Sequence, residues 1–241
     1  IQAPSALLME ATTGTVIYEK DPDTRRSPAS ITKIMTLILI FDALENGTLK
    51  MTDTVTTSAY AKSMGGSQVF LEEGETQDVE TMIKCIVIAS GNDASVAMAE
   101  HIGGSEQEFV RQMNERAAGL GMENTHFVDC TGLHDPEHYS TAYDIALLLR
   151  YALHNETFCD VIESHFHSTP GTNVHPDGIT YYSTMFKNMS DTSVIGGEVL
   201  GGKTGYTSEA GHCLASFAQI YDREYILVTA GAAADATGIP H

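Results

Sequence analysis

A serine and a lysine stand three residues apart at the start of an apolar segment, in the sequence SITK at residues 30 to 33. On a helix, positions i and i+3 share one face, so the Ser30 hydroxyl and the Lys33 amine can meet. A lysine whose pKa falls from about 10.4 to near 7 can take the serine proton, and burial beside another cation can lower it that far. The same serine could equally be a helix cap, with the lysine a solvated charge.

A second polar motif, Ser90-Gly91-Asn92, falls between two predicted helices. A hydroxyl and a side-chain amide on either side of a glycine can both point into a cleft, because glycine lets the backbone turn sharply. The alternative is an ordinary turn in which Asn92 caps the following helix.

The third motif is Lys203-Thr204-Gly205, which follows a pair of glycines. Lysine and threonine can offer a charge and a hydroxyl to a carboxylate, and glycine lets a ligand backbone approach closely. The alternative is an edge strand with an exposed lysine.

Each motif alone is common by chance, but all three in one chain of this composition are rare. The trio S-x-x-K, S-D-N and K-T-G is the pattern of class A β-lactamases and penicillin-binding proteins. With SGN as its middle motif, the chain resembles the low-molecular-weight D-alanyl-D-alanine carboxypeptidases, serine peptidase family S11. Longer segments carry the same resemblance: RRSPASITKIMT, ASGNDASVAMAEHIGGSEQEFVRQMNERAAGLGMENTHF, TGLHDPEHYSTAYDIALL and GGKTGYTSEAGHCLASF.

The resemblance implies a catalytic role for each of five residues. Ser30 would be the nucleophile that forms an acyl-enzyme, and Lys33 would be the general base of acylation. Ser90 would pass protons between Lys33, Lys203 and the leaving amine. Asn92 would hold the amide carbonyl of the substrate.

The same resemblance implies a substrate-binding strand. Lys203 would face the terminal carboxylate of the substrate, and the backbone N–H groups of Ser30 and Tyr206 would form an oxyanion hole. The predicted substrate-binding residues are Thr204, Gly205, Tyr206 and Thr207.

The implied substrate is a peptidoglycan stem peptide that ends in D-Ala-D-Ala and loses its terminal D-alanine. β-Lactam antibiotics, which mimic that end, should acylate Ser30. The resemblance implies no metal and no organic cofactor. It places the protein in an extracytoplasmic compartment, secreted or on the outer face of the bacterial cytoplasmic membrane, with a full-length form that can be peripherally anchored there.

Two departures from the family pattern concern the end of the chain. Family members carry an arginine after the last strand that helps to bind the substrate carboxylate, whereas the sequence GAAADATGIPH at residues 231 to 241 has none. Family members also continue with a helix, and often with a β-rich domain and a membrane anchor, which we expect to be absent from this chain. The expected organisation is a single transpeptidase-like catalytic domain over residues 1–241, with a helical subregion at about 58–163.

Strands are predicted at both ends of the chain and helices in the middle, and these elements must position the three motifs. A hairpin is predicted to turn at Thr13-Gly14, and two strands to meet at residues 221–224. A helix is predicted from Ser30 to a C-cap at Asn46-Gly47, and a short strand at 52–57. Further helices are predicted at 78–90, 92–104, 105–121 and 141–155. The fold class is therefore α+β, like that of DD-peptidases and β-lactamases: a mainly antiparallel sheet from both chain ends, flanked by helices, with a helical insertion.

The composition excludes two classes of partner. With 13 basic and 32 acidic residues, the net charge is −19. Nucleic acids and anionic lipid surfaces both require a basic patch, so neither is an expected partner. The four cysteines form no C-x-x-C pair, and Cys85 and Cys213 stand in apolar runs, which predicts buried free thiols.

Two alternatives to a carboxypeptidase use the same scaffold. A class A β-lactamase needs a deacylating glutamate in a pattern like E-x-x-L-N, which none of the glutamates between the second and third motifs provides: Glu123, Glu137, Glu156 and Glu163. A non-catalytic sensor of penicillin or wall peptide would bind without turnover, and the sequence does not favour it.

A third alternative is metal binding, because the chain has ten histidines. The pairs His134 with His138 and His165 with His167 have ligand-like spacing. Pro136 argues against a regular helix that would display the first pair on one face. Solvated surface histidines are the competing interpretation.

Overall fold

The computed structural model describes residues 1–233, and the sheet at its centre is built from both ends of that range. Six strands pair antiparallel in the order β2-β1-β10-β9-β8-β7. Their bounds are β1 Ser5–Glu10, β2 Val16–Lys20, β7 Ser193–Val194, β8 Gly197–Thr207, β9 Gly211–Ile220 and β10 Arg223–Ala232. The predicted α+β fold, with a sheet from both chain ends, is confirmed. The segment that lacks the expected arginine lies, from residue 234 onward, outside the described residues.

Helices occupy the middle of the chain, as predicted. The described helices are α1 Lys33–Glu45, α2 Ala59–Lys62, α3 Val79–Ile88, α4 Asn92–Gly103, α5 Glu106–Gly119, α6 Ala142–Ala152 and α7 Glu156–Ile162. Two small two-stranded antiparallel sheets lie among them: β3 Thr54–Thr56 with β4 Thr76–Asp78, and β5 Phe166–Ser168 with β6 Thr180–Tyr182. Helices α2 and α7 and the strands β4 to β7 were not predicted.

Side chains cap the start of five described helices, among them α2, where the Ser58 hydroxyl accepts a hydrogen bond from the Ala61 N–H. Asp78 accepts a hydrogen bond from the Thr81 N–H at the start of α3. Ser105, Thr141 and Asn155 cap α5, α6 and α7 in the same way. Such a cap satisfies one of the N–H groups that have no partner inside the helix, and typically contributes about 1 kcal/mol.

Helix α1 is the centre of the core. Its residues Lys33 to Phe41 are all buried, because α3, α4, α5 and α6 pack around it. A helix that is apolar on every face is stable only when it is enclosed in this way. Full burial of Ile34, Leu37 and Ile40 stabilises the fold by roughly 2 kcal/mol for each side chain. The helix is therefore a rigid base for whatever its first turn carries.

The cysteines and the helix lengths agree with the sequence analysis. All four cysteines are free thiols, and Cys85 and Cys213 are buried as predicted. Across residues 1–233, no helix combines the length and the apolar character that a membrane crossing requires.

Candidate active site

Ser30 lies in a 3-10 turn, Ala29–Thr32, that leads into α1. The Lys33 Nζ donates a hydrogen bond of 2.9 Å to Ser30 Oγ. Neither the turn nor α1 has a side-chain cap, so the interpretation of Ser30 as a helix cap is wrong. The α-helix also begins at Lys33 and not at Ser30, because the 3-10 turn, which Ala29 opens with a left-handed φ of 47°, occupies the residues before it.

Lys33 is fully buried, and this burial explains its acid-base properties. Loss of hydration lowers the pKa of the Lys33 ammonium to about 7, against weaker opposing effects of Cys130, Asp129 and Asp93. A second hydrogen bond, of 2.8 Å, runs from Lys33 Nζ to the Thr131 carbonyl oxygen. Near neutral pH the amine can therefore be unprotonated while it stays aligned with the serine hydroxyl.

The second motif connects α3 to α4. Ser90 has a φ of 59°, a left-handed conformation that is rare outside glycine and concentrates at functional sites. Gly91 caps α4, and Asn92 is the first residue of that helix, so the interpretation of Asn92 as the cap is wrong. The Asn92 Nδ2 donates to the Gly65 carbonyl at 2.7 Å, and its Oδ1 is buried without a partner among the described residues. The Asn92 amide thus retains hydrogen-bonding capacity for a ligand.

Lys203 belongs to β8 and points into the protein. Its Nζ donates to Ser90 Oγ at 2.9 Å and to the Thr204 carbonyl at 3.0 Å. Only 1% of Lys203 is exposed, so the alternative of an edge strand with a solvated lysine is wrong. Burial lowers the pKa of Lys203 well below its ordinary value, and the charge of Lys33 lowers it further.

The site therefore consists of two lysine–serine pairs. Lys33 is hydrogen-bonded to Ser30, and Lys203 is hydrogen-bonded to Ser90. The predicted relay has Ser90 in contact with both lysines. Within residues 1–233, however, the hydrogen-bond partners of Lys33 Nζ are Ser30 and Thr131, and Ser90 is not among them.

Strand β8 passes very close to the turn that carries the serine. A Cβ added at Gly205 would lie 2.9 Å from the Pro28 carbonyl oxygen and 3.0 Å from the Ser30 nitrogen. These distances are shorter than ordinary side-chain contacts, so only glycine allows this approach. Gly205 thereby brings the backbone of β8 beside the Ser30 N–H.

The remaining predicted binding residues lie along the same strand. Thr204 Oγ1 is 2.7 Å from Thr184 Oγ1 in a hydrogen bond. Tyr206 is largely exposed and its ring lies 4.6 Å from that of His212. The Thr207 hydroxyl accepts a hydrogen bond from the Ala210 N–H in the β8–β9 turn.

A loop that the motifs do not include holds Asn92 in place. The buried carboxylate of Asp93 accepts hydrogen bonds from the Val69 and Leu71 N–H groups, each at 3.1 Å. Phe70, between them, has a φ of 60°, as expected where flanking N–H groups converge on one anion. The aspartate directly after the second motif thus ties this loop to the start of α4. The sequence signal for it was one acidic residue in a first helical turn.

His138 has a structural position beside the nucleophile turn. Its Nδ1 accepts from the Val128 N–H at 3.1 Å, so a neutral ring carries its proton on Nε2, which is 2.8 Å from Thr32 Oγ1. Burial lowers the pKa of His138. Both ring nitrogens are occupied, so the geometry does not support a metal held by His134 and His138. In the part of the chain that the structure describes, no three His, Cys, Asp or Glu side chains converge as metal ligands.

Comparison with known proteins agrees with this geometry. A family model described as D-alanyl-D-alanine carboxypeptidase, peptidase S11, matches residues 1–234. D-alanyl-D-alanine carboxypeptidase DacF of Bacillus subtilis (strain 168) is 46% identical over 234 residues, which are 96% of this chain and 58% of the relative. The chain therefore spans less than two thirds of that relative.

Solved structures agree as well. The D-alanyl-D-alanine carboxypeptidase DacD from Francisella tularensis superposes with a TM-score of 0.87 and 29% identity, over 96% of this chain and 66% of that one. Penicillin binding protein 6B from Escherichia coli gives a TM-score of 0.85 and 33% identity, over 99% of this chain and 73% of that one.

Proposed function

Because the chain belongs to the D-alanyl-D-alanine carboxypeptidase family, peptidase S11, we propose that it is a serine-type D-Ala-D-Ala carboxypeptidase. It removes the terminal D-alanine from peptidoglycan stem pentapeptides through an acyl-enzyme on Ser30. The observation that carries this proposal is the 2.9 Å hydrogen bond between Ser30 Oγ and a buried Lys33 whose pKa is about 7. A nucleophile needs such a base within hydrogen-bond reach.

Acylation begins when neutral Lys33 takes the proton of Ser30. The Ser30 Oγ attacks the carbonyl carbon of the penultimate D-alanine, and the backbone N–H groups of Ser30 and Tyr206 stabilise the oxyanion. One such donor is worth about 3 kcal/mol in a comparable enzyme. The close approach at Gly205 supports this assignment, since it places β8 beside the Ser30 nitrogen.

Loss of D-alanine requires a proton on the leaving nitrogen. The Ser90 hydroxyl gives up its proton to this nitrogen as the peptide bond breaks, and Lys203, 2.9 Å from Ser90 Oγ, replaces it. Lys203 and Thr204 face the substrate carboxylate, with Thr207 beside them, and Asn92 binds the amide of the peptide. Water then attacks the ester carbonyl and gives a proton to Lys203 through Ser90, while protonated Lys33 returns its proton to Ser30 Oγ as the ester bond breaks, which restores the free enzyme.

The partners and the compartment follow from the same proposal. The substrate is a stem peptide ending in D-Ala-D-Ala, and β-lactams are covalent inhibitors at Ser30. The proposed compartment lies outside the cytoplasmic membrane, where a full-length form can be peripherally anchored. We also propose one transpeptidase-like domain with a helical subregion at about 58–163; the positions of α2 to α7, between Ala59 and Ile162, support it.

The test is intact-mass spectrometry after brief exposure to benzylpenicillin, with release of D-alanine from a pentapeptide as the second assay. We expect a mass increase equal to the whole drug, which persists for hours and is absent in Ser30→Ala. Rapid loss of the adduct would indicate a β-lactamase instead. Absence of both adduct and D-alanine release would refute the proposal and favour a sensor.

A further inference from the structure

The turn Asp129–Gly132 touches both members of the Ser30–Lys33 pair. Its Thr131 carbonyl accepts the 2.8 Å hydrogen bond from Lys33 Nζ. Gly132, with a φ of 90°, lies against the turn that carries the serine: a Cβ there would fall 1.8 Å from the Ala29 carbonyl oxygen. Any change in the shape of this turn must therefore move the base, the nucleophile, or both.

A single carboxylate oxygen defines the shape of the turn. Asp129 Oδ1 accepts hydrogen bonds from the Thr131 N–H at 2.7 Å, from the Thr131 hydroxyl at 3.0 Å and from the Gly132 N–H at 2.6 Å. Because these N–H groups are gathered on the carboxylate side, the Thr131 carbonyl is left to accept from Lys33.

The middle of the turn is anchored to two helices. Glu106, the first residue of α5, accepts from the Cys130 N–H at 3.2 Å and from its thiol at 3.3 Å. The Cys130 carbonyl accepts from the Thr36 hydroxyl, on α1, at 2.7 Å. These contacts fix where the turn sits, while Asp129 fixes its conformation.

From these contacts we propose that Asp129 is a positioning residue, whose carboxylate holds the Asp129–Gly132 turn in the shape that aligns Lys33 with Ser30. The inference rests on the proposed function only in treating the aligned Lys33 as the general base of acylation. The alignment itself is a property of the folded chain and can be measured without a substrate.

The charge of Asp129 gives this inference a distinctive signature. The groups that face Lys33 are Cys130, Asp129 and Asp93, which raise its pKa, and Lys203, which shares the buried site. Burial is the larger effect and lowers the pKa. Removing the Asp129 charge without disturbing the turn should therefore lower the Lys33 pKa further, a result that a purely structural role would not produce.

The experiment compares three variants of the whole chain. Asp129→Asn removes the charge but keeps an Oδ1 acceptor, whereas Asp129→Ala removes both. The matched control is Asp135→Asn, which makes the same charge change at a carboxylate that bonds the Glu137 N–H and not this turn. The Lys33 pKa is measured by side-chain NMR titration with Lys33→Arg for assignment, and the rate of acylation by benzylpenicillin is followed against pH.

In Asp129→Asn we expect the Lys33 pKa to fall by about half a unit or more. The acid limb of its acylation profile should move by the same amount, and Asp135→Asn should leave both unchanged. In Asp129→Ala we expect acylation to slow at least about tenfold at every pH, because a displaced base loses its alignment.

An unchanged Lys33 pKa in Asp129→Asn, or acylation of Asp129→Ala within about twofold of wild type, would overturn the inference. If Asp129→Ala does not fold, the Asp129→Asn titration decides alone. If wild type is not acylated at all, the proposed function fails, and the Lys33 titration still decides whether Asp129 controls the lysine.

Discussion

At the scale of single residues, the site is organised around the Lys33 amine, which the fold buries although its charged form is more stable in water. Lys33 has a pKa of about 7 in the folded chain and an ordinary value of 10.5 when unfolded. The folded state therefore binds fewer protons than the unfolded state between these values. Below pH 7 the burial of this charged amine lowers the free energy of unfolding by about 5 kcal/mol. The free energy of unfolding rises again as the pH increases from 7 towards 10.5.

Lys33→Met should remove this cost and abolish acylation. The variant leaves the Thr131 carbonyl without its hydrogen-bond partner, which lowers the free energy of unfolding by about 1 to 3 kcal/mol and offsets part of the gain. We therefore expect the variant to unfold about 5 °C above wild type at pH 6, with the difference narrowing as the pH rises above 7. Thermal unfolding by circular dichroism from pH 6 to pH 9 measures this.

Lys62→Met is the control for this prediction, because Lys62 is an exposed lysine paired with Glu72. Lys62→Met should change the unfolding temperature little at any pH between 6 and 9. A Lys33→Met variant with a lower unfolding temperature than wild type at pH 6 would show that the buried Lys33 amine does not destabilise the folded state.

At the scale of secondary-structure elements, the site depends on the contact between β8 and the turn that carries Ser30. Gly205→Ala would place a methyl group 2.9 Å from the Pro28 carbonyl oxygen and 3.0 Å from the Ser30 nitrogen. A shift of a few tenths of an ångström must follow, and we expect acylation by benzylpenicillin to fall about tenfold or more. Stopped-flow measurement of acylation is the assay.

Gly119→Ala is the matched control for the Gly205 prediction. Gly119 ends α5, and a Cβ there would meet nothing within 4 Å. The control should acylate at the wild-type rate and gain up to about 1 kcal/mol in stability, because alanine favours helix over glycine. Equal acylation rates in the two variants would contradict the importance of the β8 contact.

The elements that could be predicted from the sequence are those with a long apolar pattern or clear turn residues. Helix α1 carries a long apolar run that only Thr36 and Asp42 interrupt, and the hairpin β1–β2 turns at Thr13-Gly14. Helix α2 and the pair β5–β6 are too short to show a period. The 3-10 turn before α1 could not be foreseen either, because contacts with Gly132 and Gly205, far away in the sequence, force its geometry.

The candidate site was predictable to the same degree. Ser30, Ser90 and Lys203 stand in short motifs. The structure places Ser30 against Lys33 and Ser90 against Lys203, but among the described residues it does not show the predicted contact of Ser90 with Lys33. The Thr131 carbonyl was not predictable, since it is a backbone atom 98 residues from Lys33. Asp129 gave no signal of its own, because aspartate is one of the residues that commonly occur in turns.

At the scale of the whole molecule, the net charge of −19 is the dominant property. Like charges repel within the compact state and destabilise it, and salt screens this repulsion. We therefore expect the unfolding temperature to rise by a few degrees between 10 and 300 mM sodium chloride, which differential scanning calorimetry can measure.

Sodium sulfate at matched ionic strength is the control for the salt effect. Sulfate also strengthens apolar burial, so it should raise the unfolding temperature more than chloride does. An unfolding temperature that does not respond to chloride would mean that the acidic side chains are too widely spaced to repel one another.

The pairing of β1 with β10 has a consequence for synthesis. Ser5 lies opposite Ala230, so the sheet closes only when the two ends of the described chain meet. Ser30 leaves the ribosome long before Lys203, and β8 needs β9 and β10 to complete the sheet. The growing chain therefore carries Ser30 and Lys33 before it has β8, which supplies Lys203 to the site. The complete site can therefore form only after β10 has been synthesised, so the serine stays without its full site until then.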